Sequence, residues 1–370
     1  MSKNLCKTFL LCMALFQGTD FAQCATFEGA FSLLNVNAPE TNMPQSFKVQ
    51  SNGRMAITWD EKGICEGSPD LKTWYGLGEG TKYFAKMDQG HAFFRVKKAM
   101  PRPSQMYLPK NYDSQKKYPL ILNLHGYTGD WNHQNGYFPL QKHADNKGFI
   151  FCVPDGERDS DKNGWNQYQG NRRWNSIDAC CGTRHDLLDD SAYLRAMIDQ
   201  AINNYSIDME RIYVMGFSNG AQMAFRMAID HSDIIAGIVS IGGISYKDTS
   251  YAPKFPVHVL AIHGTKEENY HGTVLGDIAF YYADTPSVRE NLQNWATFNN
   301  CSEYSEQENA LDLVRLRRGN ESNLISYKNP ETQCTVELWE VVNGVHVENY
   351  SSQMKEMLVD WMLARPKIRN

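Results

Sequence analysis

From about residue 91 onward, short apolar runs alternate with amphipathic stretches. Pro119–Leu124 (PLILNL), Gly148–Val153 (GFIFCV), Arg211–Met215 (RIYVM), Gly237–Ile241 (GIVSI), Val257–Ile262 (VHVLAI) and Val336–Val342 (VELWEVV) are apolar at nearly every position. Strands of a parallel sheet need this pattern, because helices cover both faces. Between them, Leu194, Met197, Ile198, Ala201 and Ile202 fall at helical spacing and predict one buried stripe. Met354, Met357, Leu358, Trp361 and Met362 repeat that spacing behind Ser351 or Ser352 as N-cap, and Pro366 ends the helix. The methionines of this stripe read as core. The alternation predicts an α/β domain over residues 91–370, with an open, doubly wound, mostly parallel sheet.

The chain ahead of this domain follows other rules. Residues 26–90 are rich in Gly, Asn, Thr and aromatics, among them Trp59, Trp74, Tyr75 and Tyr83. They predict strands and turns, hence a small β-rich N-terminal extension whose aromatics serve mainly packing. At the start, Lys3 and Lys7 precede the apolar run Thr8–Phe16, and small residues follow at Ala22 and Ala25. A charged region, a short apolar run and a small-residue exit predict a signal peptide over residues 1–22, and thus a secreted or periplasmic protein. The run is too short to span a membrane, and no later segment reaches the length a span requires.

Composition narrows the partners. Of 370 residues, 37 are Lys or Arg and 42 are Asp or Glu, for a net charge of −5. Without a basic block there is no counterpart for a phosphate backbone, so nucleic acid is not an expected partner. Nine cysteines are present, of which Cys6 and Cys12 lie in the signal segment. The remaining seven, Cys24, Cys65, Cys152, Cys180, Cys181, Cys301 and Cys334, are disulfide candidates in an exported protein. No C-x-x-C or H-E-x-x-H occurs, so a metal site has no support, and no cofactor is implied.

The chemistry concentrates in Gly216-Phe217-Ser218-Asn219-Gly220, which joins RIYVM to a stretch of helical character through Met223, Ala224 and Met227. A G-x-S-x-G between strand and helix is a nucleophile elbow, in which Ser218 stands clear of the sheet on a strained turn. The helix that follows favours negative charge developing at the serine. A serine nucleophile needs a base and an orienting acid, which in such folds follow later in the chain at strand ends. After VHVLAI comes His263-Gly264-Thr265-Lys266-Glu267-Glu268, and after VELWEVV comes Asn343-Gly344-Val345-His346. His346 is the candidate base and Glu267 the candidate acid, with Glu268 a competitor. The expected oxyanion donors are the backbone N–H groups of Asn219 and of Tyr127, the latter in the turn after PLILNL. Phe217, Trp165 and Trp174 are candidates to line the acyl pocket, and His125 reads as a packed structural histidine.

Several spaced stretches then carry a family resemblance: YLPKNYD with YPLILNLHG, RRWNSIDACCG with LLDDSAYL, RIYVMGFSNGAQMAFRMA, HGTKE, NWATFNNC, and a late C-x-V-E-L with N-G-V-H. Residues 91 to 366 resemble secreted α/β-hydrolase esterases of the kind that includes poly(3-hydroxybutyrate) depolymerase-like proteins and feruloyl or acetylxylan esterases. The resemblance implies an α/β-hydrolase fold and ester hydrolysis through an acyl-enzyme without a cofactor. Ser218 would be nucleophile, His346 base and Glu267 acid, although the family usually places Asp in an H-G-T-x-D pattern. It further implies a Cys301–Cys334 bridge. Cys180 and Cys181 are adjacent, so at most one is expected to bond a distant partner such as Cys152. The expected substrate is a small or polymer-linked ester. A serine peptidase of the same fold and a non-catalytic binding protein on this scaffold are the alternatives.

Overall fold

A computed structural model describes the backbone strands within residues 1–101, and then residues 102, 104–158, 172–177, 179–181, 189–274 and 283–369. The signal segment over residues 1–22 and the candidate Trp165 lie outside the described residues. The chain divides into two compact units, one of residues 1–101 with 184–193, the other of 102–183 with 194–370.

The first unit contains a five-stranded sheet: β1 (Gln23–Cys24), β2 (Ser46–Val49), β3 (Arg54–Ser68), β4 (Tyr75–Lys86) and β5 (Phe93–Lys98). β3 is its organising strand and pairs antiparallel with β2, β4 and β5. A register shift between Thr58 and Gly63 marks where the β3–β4 pairing is interrupted. Such an irregularity bends a strand and sharpens its twist. Because β5 pairs here, residues 93–98 belong to this sheet, and the second unit begins at Arg102.

The second unit is built on a nine-stranded sheet and carries a separate two-stranded one. In chain order its elements are β6 (Ser104–Tyr107), β7 (Tyr118–Leu124), α1 (Trp131–Tyr137), α2 (Gln141–Lys147), β8 (Ile150–Pro154), β9 (Glu157–Arg158), β10 (Arg172–Arg173) and, from Leu194 onward, α3 (Asp190–Asn204). They continue with β11 (Ile207–Phe217), α4 (Asn219–Asp230), β12 (Gly237–Ile241), β13 (His258–Gly264) and α5 (Val288–Phe298). Last come β14 (Glu303–Leu311), β15 (Ser322–Lys328), β16 (Thr335–Val341) and α6 (Ser352–Leu363). The strand order is β14-β15-β16-β13-β12-β11-β7-β8-β6. The six strands from β16 to β8 run parallel; at one edge β15 pairs antiparallel with β16 and β14 antiparallel with β15, and at the other β6 pairs antiparallel with β8.

The sequence patterns account for most of this. β8, β12 and β13 are buried at every position, as strands covered on both faces must be. Met354, Leu358, Trp361 and Met362 of α6 join a core that includes Ile121, Phe151, Tyr213, Leu260 and Trp339. Each such side chain contributes on the order of 1.5–3 kcal/mol on burial. Helix starts are fixed by side chains that accept otherwise unpaired N–H groups. Ser351 caps α6 through Met354 N, and Ser287 forms a capping box with Glu290 at α5. The edge strand β14, EYSEQENAL, is exposed along most of its length. Its acidic side chains discourage pairing with another chain.

The topology also locates a crevice. From β7 the chain steps out to β8, then returns past β7 to β11 and proceeds the other way through β12, β13 and β16. Helical connections therefore part at the C-terminal ends of β7 and β11, where open α/β sheets form ligand sites.

Candidate active site

Ser218 sits at that switch point, immediately after β11, with φ 53° and ψ −118°. A non-glycine residue in this region is strained and persists only where its surroundings hold it. Here Ser218 N donates to Ile241 O of β12 at 2.8 Å, while Ser218 O accepts from Ala221 N and Gln222 N as α4 begins. The turn needs backbone to pass close to backbone. A Cβ on Gly216 would stand 2.3 Å from Gly220 O, and one on Gly220 would stand 2.4 Å from His125 O. Glycine at both positions is thus required by space.

The loops after β13 and β16 are locked to each other. Thr265 N donates to Val341 O at 3.0 Å, Lys266 N to Gly344 O at 2.9 Å, and Asn343 N to Thr265 Oγ1 at 2.8 Å. Arg317 binds Val342 O and Asn343 O and pairs with Glu348 at 2.7 Å, while Glu348 accepts Val345 N at 3.0 Å. This lacing sets His346 between the two loops. His346 Nε2 is 2.9 Å from Ser218 Oγ, and His346 Nδ1 is 2.6 Å from Glu267 Oε2. Glu267 is buried and Glu268 is exposed, so the structure brings Glu267 to the histidine and leaves its neighbour in solvent.

Glu267 lies between two imidazoles. Its second oxygen, Oε1, accepts Gly264 N at 2.8 Å and faces His263 Nδ1 at 3.5 Å. His263 is fully buried, with Nε2 bound to Gly243 O at 2.9 Å. Burial pushes the Glu267 carboxyl up, but the His263 and His346 rings outweigh it and hold the group well below the usual carboxylate range. An ionised acceptor keeps the Nδ1 proton on His346 and leaves Nε2 free to face the serine hydroxyl. Arg317, Glu348 and His263 were not singled out from the sequence. His263 and Glu348 stand close to Glu267 and His346 along the chain but carry no motif of their own, whereas Arg317 lies far from both and is brought to them by the fold.

Among the other candidates, Asn219 is the first residue of α4, where N–H groups have no partner within the helix. Its side chain is fixed from behind: Oδ1 accepts Trp174 N at 2.7 Å, and Nδ2 donates to Trp174 O and Ser176 Oγ. Tyr127 lies in the turn after β7 and packs on a small cluster of Ile177, Ala179, Cys180 and Cys181. Phe217 does line a cleft of about 270 Å³, together with Tyr127, Tyr137 and Val347. Its ring meets Tyr137 edge-on at 5.1 Å and lies 5.1 Å from the His346 ring. Trp174, expected at the pocket wall, is fully buried, with its indole N–H donating to His125 O at 2.9 Å. Its place is behind the turn, because its hydrogen bonds point into the scaffold.

The cysteines depart from expectation. Cys180 and Cys181 are joined to each other, and neither reaches Cys152. Cys301 and Cys334 are adjacent in space but carry free thiols, with Cys301 Sγ donating to Cys334 O at 3.4 Å, so the expected bridge is absent from this structure. Burial pushes the Cys152 thiol up to about 12, which makes it unreactive. The side chains of Cys24 and Cys65 lie outside the described residues. No group of three metal-ligating side chains gathers among the described residues, and no helix among them is long and apolar enough to cross a membrane.

Comparison with known proteins agrees with this fold. Residues 111–276 match the family described as phospholipase/carboxylesterase. The chain is similar to a bifunctional acetylxylan esterase/xylanase of Neocallimastix patriciarum, at 28% identity over 167 residues, covering 45% of this chain and 22% of that protein. It is similar to feruloyl esterase B of Piromyces equi, at 24% identity over 246 residues, covering 65% and 41%. A shorter stretch of 54 residues is 43% identical to poly(3-hydroxyalkanoate) depolymerase C of Paucimonas lemoignei, covering 15% and 13%. The chain thus spans less than half the length of each of these relatives. With its mostly parallel sheet, its strand–serine–helix turn and a match to the phospholipase/carboxylesterase family over residues 111–276, the second unit has the α/β-hydrolase fold.

Proposed function

We propose that this protein is a secreted serine carboxylesterase that works through an acyl-enzyme, with Ser218, His346 and Glu267 as its catalytic residues. The observation that carries the reading is the unbroken chain from Ser218 Oγ through the His346 ring to Glu267, with contacts of 2.9 and 2.6 Å. Ser218 Oγ attacks the ester carbonyl as His346 Nε2 takes its proton. Glu267 stabilises the imidazolium, and the N–H groups of Asn219 and Tyr127 receive the oxyanion. The imidazolium then protonates the departing alcohol. Water, activated by the same histidine, attacks the acyl-enzyme and releases the acid.

The cleft beside Ser218, with Tyr127, Tyr137, Phe217 and Val347 on its walls, suits a compact apolar acyl group. The named activities of the relatives give the substrate classes: feruloyl or acetyl esters of carbohydrate, or hydroxyalkanoate esters. Export rests on the charged and apolar pattern of residues 1–22. A substrate panel tests the reading, with p-nitrophenyl acetate, methyl ferulate, acetylxylan and hydroxybutyrate oligomers run beside Ser218→Ala. The expected result is turnover of at least one ester by the wild type and loss of that turnover in the variant. Full activity in Ser218→Ala contradicts it.

A further inference from the structure

The turn after β7 contains a histidine held in a single protonation state. His125 is 1% exposed. Its Nε2 accepts the backbone N–H of Gly156 at 2.9 Å. An amide N–H can only donate, so Nε2 offers its lone pair and the ring proton must sit on Nδ1. That Nδ1 lies 2.8 Å from Gly126 O and therefore donates to it. Gly126 O also accepts Gly129 N at 3.0 Å.

The carbonyl of Gly126 and the N–H of Tyr127 belong to the same peptide unit. That unit is planar and trans, so its N–H points away from its C=O. Two donors clamping Gly126 O therefore set the direction in which Tyr127 N–H points. The unit lies against the nucleophile, since a Cβ on Gly126 would stand 3.3 Å from Ser218 Cβ. Both flanks of the turn are held as well, by Trp174 Nε1 on His125 O and by Thr128 N on Arg172 O, each at 2.9 Å.

We propose that His125, neutral and protonated at Nδ1, is a positioning residue that aims the Tyr127 N–H at the oxyanion. The inference rests on the serine-esterase reading of the same site. Simple packing would require only a ring of suitable size. The aiming role requires a donor at the Nδ1 position, which Asn supplies through its amide nitrogen. Gln instead reaches toward the Nε2 position and Gly156 N.

The test compares wild type, His125→Asn and His125→Gln on p-nitrophenyl acetate, together with their affinity for a trifluoromethyl ketone that forms a tetrahedral serine adduct. His125→Gln is expected to lower kcat by about 10²-fold, as loss of an oxyanion donor does, with KM unchanged and affinity for the ketone falling in step. His125→Asn is expected to keep kcat within about tenfold of wild type. Equal losses in the two variants, or lower kcat without weaker ketone binding, overturn the proposal. ¹⁵N NMR of the wild-type ring gives a readout independent of turnover and of how the variants fold. A neutral Nδ1–H tautomer is expected, and an imidazolium or an Nε2–H tautomer overturns the positioning role while leaving the esterase reading intact. A wild type inert toward every ester overturns the esterase reading, and this inference with it.

Discussion

Glu267 has one methylene more than an aspartate, and the structure shows where that length goes. The side chain curls so that Oε1 caps Gly264 N while Oε2 reaches His346. Shortening it to Asp withdraws the carboxylate from one of these two partners. We expect Glu267→Asp to lower kcat by about 10²-fold, the scale of a 1 Å misplacement. Glu267→Gln should lower it by about 10⁴-fold, because an amide can favour the wrong histidine tautomer. Glu268→Gln, on an exposed side chain, should leave steady-state rates on p-nitrophenyl acetate unchanged. The grouping of Ser218, His346 and Glu267 was legible in the sequence because each follows a strand-like apolar run, in the order an elbow-type hydrolase requires. Trp174 was misread because an aromatic in a loop looks like a pocket wall. Its real partners, His125 and Asn219, are 49 and 45 residues away, and only the turn's geometry selects them.

Elements behave according to how their ends are held. At the elbow, backbone passes backbone too closely for any side chain, and Gly216→Ala places a methyl 2.3 Å from a carbonyl oxygen. We expect a stability loss of about 3 kcal/mol or more, read by urea denaturation. Gly136, inside α1, has nothing within 4 Å of an added Cβ. There the same change should stabilise by about 0.5–1 kcal/mol, since alanine loses less backbone freedom on folding than glycine. The parallel strands and the helices α3 and α6 could be read from periodicity because both are amphipathic or buried in the usual way. The β14–β15 hairpin could not. Its outer strand is polar and exposed, so it lacks an apolar face, and only pairing with β15, itself held on β16, makes it a strand.

For the whole molecule, the second unit's fold ties its C-terminal segment to the centre of the sheet through a histidine. His258, on β13, accepts Thr335 N at 3.1 Å through Nδ1 and approaches Pro366 O at 3.3 Å through Nε2. It is therefore neutral in the folded state. Burial first, and Arg365 and Lys367 beside it, bring it down from the ordinary 6.5 to about 4. The unfolded chain takes up this proton more readily than the folded one, so the site's contribution to stability is full above pH 6.5. It is lost as pH falls through the window from 6.5 to about 4. Urea midpoints measured across that window should fall for the wild type and fall less steeply for His258→Asn. The proposed catalysis makes a different demand on the molecule, because the ends of β7, β11, β13 and β16 must converge on one hydroxyl. Intact-protein mass spectrometry with a fluorophosphonate, followed by peptide mapping, tests that convergence most directly. One adduct on Ser218, absent from Ser218→Ala and accompanied by loss of ester hydrolysis, is the predicted result. Hydrolysis that persists with Ser218 fully labelled, or a label that maps to another residue, would contradict it.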